Sequence, residues 1–342
     1  MTTKTLSQRA IPQIPGGLAP PKAMSARSFQ RHLLSWYDQR KRDLPWREDR
    51  DPYRVWISEI MLQQTRVAAV IAHYRRFLAL FPSVEVLAAA KSDHVLAAWS
   101  GLGYYRRARA LHAAALQIVA QHAGHLPRSV PELRALPGVG AYTAAAIASI
   151  AFEVPTPAVD GNVERVLARL SGNTVNSGDA WRSAAHLLNK SRPGDFNQAM
   201  MELGATVCTP AKPACATCPV FRFCRTRGPG RRQKSPARRR RRLHFRLARS
   251  GGCVFLVQRS KDESLMADMW ELPSIGVTRR RSPDSDPVFT LRHSITDTDY
   301  RVTVTSGIEP KSMSGDWVPI SQLSTLALTG LARKILQRSN LI

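Results

Sequence analysis

The sequence predicts a mostly helical region followed by a small α+β domain, and three observations predict it. From Ser28 to about Val207, apolar residues recur every three and four positions with little strand-like alternation. Between Arg225 and Arg249 the texture changes to twelve Lys or Arg residues and no acid. Beyond that stretch come short runs rich in Val, Phe, Tyr and Thr, the composition of strands. A chain of 342 residues can bury two separate cores.

Residues 1–27 carry Lys4, Arg9, Lys22 and several prolines without an apolar stretch, so they read as a disordered arm rather than a signal peptide. The helical region spans 28–207. Phe29, Leu33, Leu34 and Tyr37 form one apolar face, and Val55, Ile57, Met61 and Ala68 a looser one. Pro131–Leu136 and Ala141–Phe152 read as two helices joined by Pro-Gly-Val-Gly. Glycines at 138 and 140 permit positive φ and close approach of another backbone, and the open N–H groups of the second helix can grip a phosphate. An ordinary helical turn is the alternative. The formal net charge of +25 favours phosphate, because so basic a chain points to a polyanionic partner, nucleic acid before a membrane surface. The longest apolar runs, such as Ala144–Phe152, are too short to span a bilayer, and no membrane partner is expected.

Five cysteines are an odd number, and four crowd into Cys208, Cys215, Cys218 and Cys224. That clustering argues for a metal centre in a reducing cytoplasm rather than a disulfide framework. Four thiolates over this loop, 208–224, can wrap tetrahedral zinc or a [4Fe–4S] cube. Zinc ribbons pair two short Cys-x-x-Cys knuckles and only one is present, so the spacing leans to iron–sulfur. Residues 225–242, with the run Arg238–Arg242, read as a basic linker able to hold DNA loosely. In the C-terminal domain, 243–342, strands are expected at Cys253–Gln258, Val288–His293 and Tyr300–Thr305, with a closing helix at Leu331–Gln337. Cys253 reads as a buried strand residue.

Two carboxyls carry candidate chemistry. Glu59 shares a helix face with Val55, Trp56, Leu62 and Gln63, and apolar neighbours push a carboxyl's pKa up, which suits a general acid. Asp160 precedes Gly161-Asn162-Val163 as a helix N-cap, a role compatible with facing a developing cation. The polar pair Gln63-Gln64 amid an apolar helix has no ready structural reason.

The hairpin "LPGVG", the stretch "VDGNV" at Val159–Val163 and the four-cysteine loop together resemble the endonuclease III superfamily of DNA glycosylases. "LPWR" (Leu44–Arg47), "SEIMLQQT" (Ser58–Thr65), "GLGYYRRAR" (Gly101–Arg109) and "FNQAMMELGA" (Phe196–Ala205) resemble specifically the MutY-type adenine DNA glycosylase family. The resemblance covers Phe29 to Cys224 and implies a helix-hairpin-helix six-helix barrel beside a [4Fe–4S] cluster domain, with DNA in the cleft between them. It implies that Glu59 protonates the leaving adenine and that Asp160 stabilises the oxocarbenium ion or attacks it, with Asn162 and Tyr142 positioning it. Tyr142 stands where bifunctional relatives carry a Schiff-base lysine, so strand cleavage is not expected. Arg47 and Gln198 would bond the flipped base, with Trp46 as a wall and Gln63 beside them, while Gln64 and Tyr104 would enter the double helix.

The segment "FLVQRSKDESLMADMWELP" (Phe255–Pro273) resembles a Nudix-like lesion-recognition domain. Glu263, Glu271 and Glu309 are too sparse for the metal-binding helix of a true Nudix hydrolase. In "RHSITD" (Arg292–Asp297), Thr296 takes the place of a family serine that contacts 8-oxoguanine, and Asp297 that of a histidine. The expectation is a monomeric, monofunctional adenine DNA glycosylase of a bacterial cytoplasm, acting on double-stranded DNA with adenine opposite 8-oxoguanine or guanine. The alternatives are a related mismatch glycosylase that removes thymine or another base, and a non-catalytic DNA-binding iron–sulfur protein.

Overall fold

Among the described residues, eleven α-helices precede the first strand: α1 (Ala26–Arg40), α2 (Pro52–Leu62), α3 (Val67–Leu80), α4 (Val84–Ala89), α5 (Ser92–Ala98), α6 (Arg106–His122), α7 (Val130–Ala135), α8 (Ala141–Phe152), α9 (Gly161–Ser171), α10 (Ser177–Leu187) and α11 (Pro193–Glu202). They are seen in a computed structural model that describes residues 25–229, 238–263, 266–275, 287–295, 297–308 and 314–342. The arm expected over 1–27, apart from its last three residues, lies outside the described residues, as do Thr296 and Glu309. Among the described residues no helix is long and apolar enough to cross a membrane.

The helices divide between two cores, and α8 lies between them. Every residue from Thr143 to Ile150 is buried, as an all-round apolar helix should be. Its alanines at 144, 145, 146 and 148 present little bulk, which lets α2 pack on one side and α11 on another. The first core gathers α2 to α8 around Trp56, Phe77 and Trp99. The second joins α1 to α9, α10, α11 and the cysteine loop; Phe29 meets Phe196 at 6.4 Å and Phe223 at 5.7 Å between ring centroids. The N-terminal helix therefore folds back onto the far end of the helical region. A π-helical turn, Leu203–Val207, ends α11 and delivers the chain to Cys208.

The C-terminal part is a sheet domain with β1 (Arg239–Leu247), β2 (Arg249–Ser250), β3 (Cys253–Gln258), β4 (Trp270–Glu271), β5 (Pro287–Ile295), β6 (Thr298–Ser306), β7 (Asp316–Pro319) and α12 (Gly330–Arg338). One sheet has the order β1-β6-β5, with β1 parallel and β5 antiparallel to β6; β3 centres a second with β2, β4 and β7. Their shared core includes Phe245, Leu256, Val302 and Ile335. All three strands and the helix expected from sequence are present, β3 with the expected bounds and β5, β6 and α12 with slightly wider ones.

Two expectations need correction. The basic stretch read as a linker to residue 242 enters the sheet at Arg239, and Arg239–Arg242 pair with Thr298–Arg301. Charge on an edge strand is a common device against unwanted pairing, so a run of arginines does not exclude β structure. Cys253, expected to be buried, is only half-buried because it sits at the exposed Gly251–Gly252 turn.

The sheet domain docks on the helical region at one defined place. Met269 and Ala327 are buried within the first core, the Tyr105 hydroxyl donates to the Leu328 carbonyl at 3.1 Å, and Arg333 Nε donates to Ser100 Oγ at 2.5 Å.

Candidate functional site

A cavity of about 520 Å³ opens between the two cores, lined by α2, α8, the start of α9 and α11. Of the residues singled out from sequence it brings together Trp46, Arg47, Glu59, Gln63, Gln64, Tyr142, Asp160, Asn162 and Gln198. Glu59 is 7 % exposed on the inner face of α2. Burial pushes its carboxyl up to about 7; a hydrogen bond with Tyr142 opposes that, the charge of Asp160 adds to it, and Arg47 draws it down. The Tyr142 hydroxyl donates to Met201 Sδ at 3.0 Å, and burial followed by the two carboxylates raises its own pKa well above the ordinary value.

Asp160 caps α9. Its Oδ1 accepts from the Val163 N–H at 2.8 Å and its Oδ2 from Asn162 Nδ2 at 2.8 Å. Both oxygens are thus held at the positive end of a helix dipole, the place that favours a negative charge. Asn162 is fixed in turn by Arg165, which donates to Asn162 Oδ1 at 2.8 Å, to the Gly204 carbonyl at 2.8 Å and to the Cys208 carbonyl at 2.9 Å. A Cβ at Gly204 would lie 2.6 Å from the Cβ of Asn162, so only glycine lets the π turn approach α9 this closely.

At the opposite wall, Glu202 is 1 % exposed and accepts from Arg42 Nε at 2.7 Å and Arg47 Nη2 at 2.9 Å. Burial alone would raise its pKa, but the bonds from Arg42 and Arg47 outweigh it and hold the carboxyl below the ordinary value. Arg47 Nε donates to Gln198 Oε1 at 3.2 Å, which leaves the amide NH2 of Gln198 as a donor in the cavity wall. Trp46 is buried and packs edge-on against Tyr74 at 5.5 Å.

Gln64, exposed although it lines the cavity, and Tyr104, which does not line it, lie on two loops, and both adopt left-handed backbone at φ 56° and 49°. One buried side chain ties the loops together. Arg107 Nη1 donates to the carbonyls of Ile60, Met61 and Gln63 at 2.7–2.9 Å, and its Nη2 to Thr65 Oγ1, Leu102 and Gly103 at 3.1–3.2 Å. Its guanidinium lies over the rings of Trp99 and Tyr104, and burial lowers its pKa to about 10. Gln63 Nε2 donates to Thr143 Oγ1 at 3.2 Å across the α2–α8 contact, which is the structural reason that the sequence lacked.

The two hairpin glycines differ. Gly138 has φ 76°, and a Cβ there would sit 2.7 Å from that of Ala110, so its bareness serves the turn and the packing on α6. Gly140 has open space around it and no side-chain cap follows, so the first N–H groups of α8 are accessible.

Arg169 cradles the cysteine loop, donating to Cys208 Sγ at 3.2 Å and to the carbonyls of Thr209 and Pro210 at 2.8 and 2.9 Å. Burial, then the charges of the other cysteines, push Cys218 up to about 11 and raise Cys215. Among the described residues no group of three or more His, Cys, Asp or Glu side chains stands close enough to hold a single metal ion. Arg42, Arg107, Arg165, Arg169 and Glu202 were not singled out from sequence; all but Arg165 were masked by the abundance of their type or by apolar neighbours. Arg165 lies one turn beyond Asn162, a spacing that marks it as a helix-face neighbour.

A family profile described as HhH-GPD superfamily base excision DNA repair protein matches residues 57–189. The chain is 52 % identical over 213 residues to the adenine DNA glycosylase of Mus musculus, covering 58 % of this chain and 41 % of that protein. It is 41 % identical over 295 residues to the adenine DNA glycosylase of Arabidopsis thaliana, covering 71 % of this chain and 46 % of that one. The chain thus spans less than half the length of either relative. Among solved structures, a thermostable thymine-DNA glycosylase superposes with a TM-score of 0.56 at 30 % identity, covering 59 % of this chain and 96 % of that one.

Proposed function

We propose, because the chain belongs to the HhH-GPD superfamily of base excision DNA repair proteins, that it is a MutY-type monofunctional adenine DNA glycosylase. One observation carries the reading: a buried Glu59 whose pKa of about 7 keeps it substantially protonated at neutral pH, in one cavity with a capped Asp160. Breaking an N-glycosidic bond needs a proton on the leaving base and a negative charge facing the sugar cation. Two carboxyls in unlike surroundings supply both.

Double-stranded DNA with adenine opposite 8-oxoguanine or guanine is the substrate in this reading. The adenine leaves the stack and enters the cavity, where Trp46 walls it and the Arg47–Gln198 pair meets its edge. Glu59 gives its proton to the base, with Tyr142 holding the acid in place. Asp160, steadied by Asn162, faces the oxocarbenium ion until water adds. Gln64 and Tyr104 fill the helix that the base has left, on loops fixed by Arg107. The open N-terminus of α8 at Gly138–Gly140 takes a phosphate. With tyrosine at 142 no amine stands ready for Schiff-base chemistry.

A [4Fe–4S] cluster on Cys208, Cys215, Cys218 and Cys224 fits the donor set: four free thiols, two of which, Cys215 and Cys218, are raised by burial and then by their cysteine neighbours, with Arg169 directed at a sulfur. A cubane with its own sulfides spans more space than one ion. Bound there, it would supply a rigid centre around which the DNA-facing loop folds. The sheet domain is read as Nudix-like and non-hydrolytic, since Arg259 engages both Glu263 and Glu271. Thr296, which falls in sequence between β5 and β6, is assigned to reading 8-oxoguanine.

The test is base release from duplexes that differ in one mispair, with borohydride present. Free adenine opposite 8-oxoguanine and guanine, without a trapped adduct, is expected. Thymine release would favour the chemistry named in the solved relative, and trapping would remove the monofunctional assignment.

A further inference from the structure

The arginine run that enters β1 takes no part in the cavity, and its placement is specific. Arg242 lies directly opposite Arg301 on β6, and Arg301 lies directly opposite Arg292 on β5. Residues opposite one another in paired strands point to the same face, and strands lie roughly 4.8 Å apart, so three guanidinium stems cross the whole sheet within about 10 Å. All three arginines are exposed, and among the described residues none forms an ion pair with a carboxylate. Lys334 adds a further cation at the edge, donating from Nζ to the Arg292 carbonyl at 2.9 Å.

The next row on the same face is Arg240–Asp299–Ser294. Its acid is already engaged, since Asp299 Oδ1 accepts from Arg238 Nε at 2.7 Å and from Ser294 Oγ at 2.7 Å. The opposite face carries Phe245, Val302 and Leu291 into the domain core. Like charges directly opposite in a sheet are destabilising. A row of three therefore works against the fold unless an anion lies across it.

We infer that the outer face of the β1-β6-β5 sheet binds the phosphate backbone of duplex DNA. The inference rests on the proposed function, which supplies DNA as the partner. It adds a second contact surface, two rows from the β5–β6 turn. Guanidinium forks match carboxylate and phosphate oxygens alike, so the spacing of charge decides for a DNA backbone over an acidic protein. A DNA strand presents one charge per roughly 3.4 Å, regular enough to meet a fixed row of cations.

The experiment compares the full-length protein with the triple variant Arg242→Gln/Arg292→Gln/Arg301→Gln. A control, Arg27→Gln/Arg31→Gln/Arg182→Gln, removes equal charge from α1 and α10. Binding to a lesion duplex and to an undamaged duplex is followed across salt concentration. The sheet variant should bind both duplexes more weakly by the same factor, with a salt slope shallower by about 2–3, at ~0.9 per phosphate contact. The control should keep the parent slope. In low salt the sheet variant should also melt at a higher temperature than the parent, and the two should converge in high salt.

A sheet variant with the parent's salt slope overturns the inference while leaving the glycosylase reading intact. So does one that keeps the slope but loses retention by an acidic protein. A variant that melts lower at every salt concentration would show that the arginines hold the sheet together, which also contradicts it. A parent protein that binds no duplex at all sinks the functional reading and this surface with it.

Discussion

Glu59 on α2 and Tyr142 on α8 line the same cavity, and the Tyr142 hydroxyl opposes the effect of burial on the Glu59 carboxyl. Removing it should therefore raise the carboxyl pKa further above 7. For Tyr142→Phe, the alkaline limb of the single-turnover excision profile should move to higher pH. A shift to lower pH would mean that Tyr142 does not bond the ionised form of the acid.

The same burial has a stability cost with a defined sign. In the folded chain Glu59 titrates near 7 instead of 4.5, so folded protein holds the extra proton between those values and stability falls as pH rises through them. A glutamine does not titrate. Glu59→Gln should match the parent below pH 4.5 and exceed it above pH 7 by on the order of 3 kcal/mol. Denaturant melts at the two extremes measure this, and a variant no more stable at pH 8 would contradict the burial of the charge.

Asn162 is the link between Asp160 and Arg165, and Arg165 reaches the Cys208 carbonyl. Asn162→Ala removes one donor from the aspartate and leaves the α9 cap to Val163 intact. A hydrogen bond to a charged group contributes ~1.5–3 kcal/mol, so excision should drop roughly 10- to 100-fold with duplex binding retained. An unchanged single-turnover rate would show that Val163 alone positions the carboxylate.

Arg107 has six acceptors, two in the last turn of α2 and four in the two loops, a set that lysine's single ammonium cannot match. Arg107→Lys should destabilise the fold by roughly 2–4 kcal/mol and loosen the segments around Gln64 and Tyr104. Chemical denaturation with hydrogen exchange across residues 62–65 and 102–105 checks both, and a loss below ~0.5 kcal/mol would contradict the account.

A few residues of the candidate site were legible because their types conflict with their surroundings, and the rest of the cavity lining came from the family resemblance. Glu59 amid apolar positions, the Asp160 cap and the four clustered cysteines each stand out in a linear reading. Glu202 did not, because its partners Arg42 and Arg47 lie some 160 positions away in sequence. Arg107 was hidden for the opposite reason: its acceptors are mostly backbone carbonyls, which carry no sequence signal. The strand at Arg239–Arg242 was misread as linker since charge density is a statement about solvation, whereas β pairing is set by the backbone of β6. Gly138 and Gly140 look alike in sequence and differ only once Ala110 is seen beside the first.

The central claim is that Glu59 is the acid of adenine excision. Its most direct test is the single-turnover rate of adenine release opposite 8-oxoguanine, parent against Glu59→Gln, with binding to the same duplex measured alongside. The account predicts a fall of at least ~100-fold in rate with binding within a few-fold of the parent. A variant that still releases adenine at close to the parent rate, or whose loss follows weakened binding alone, would contradict it.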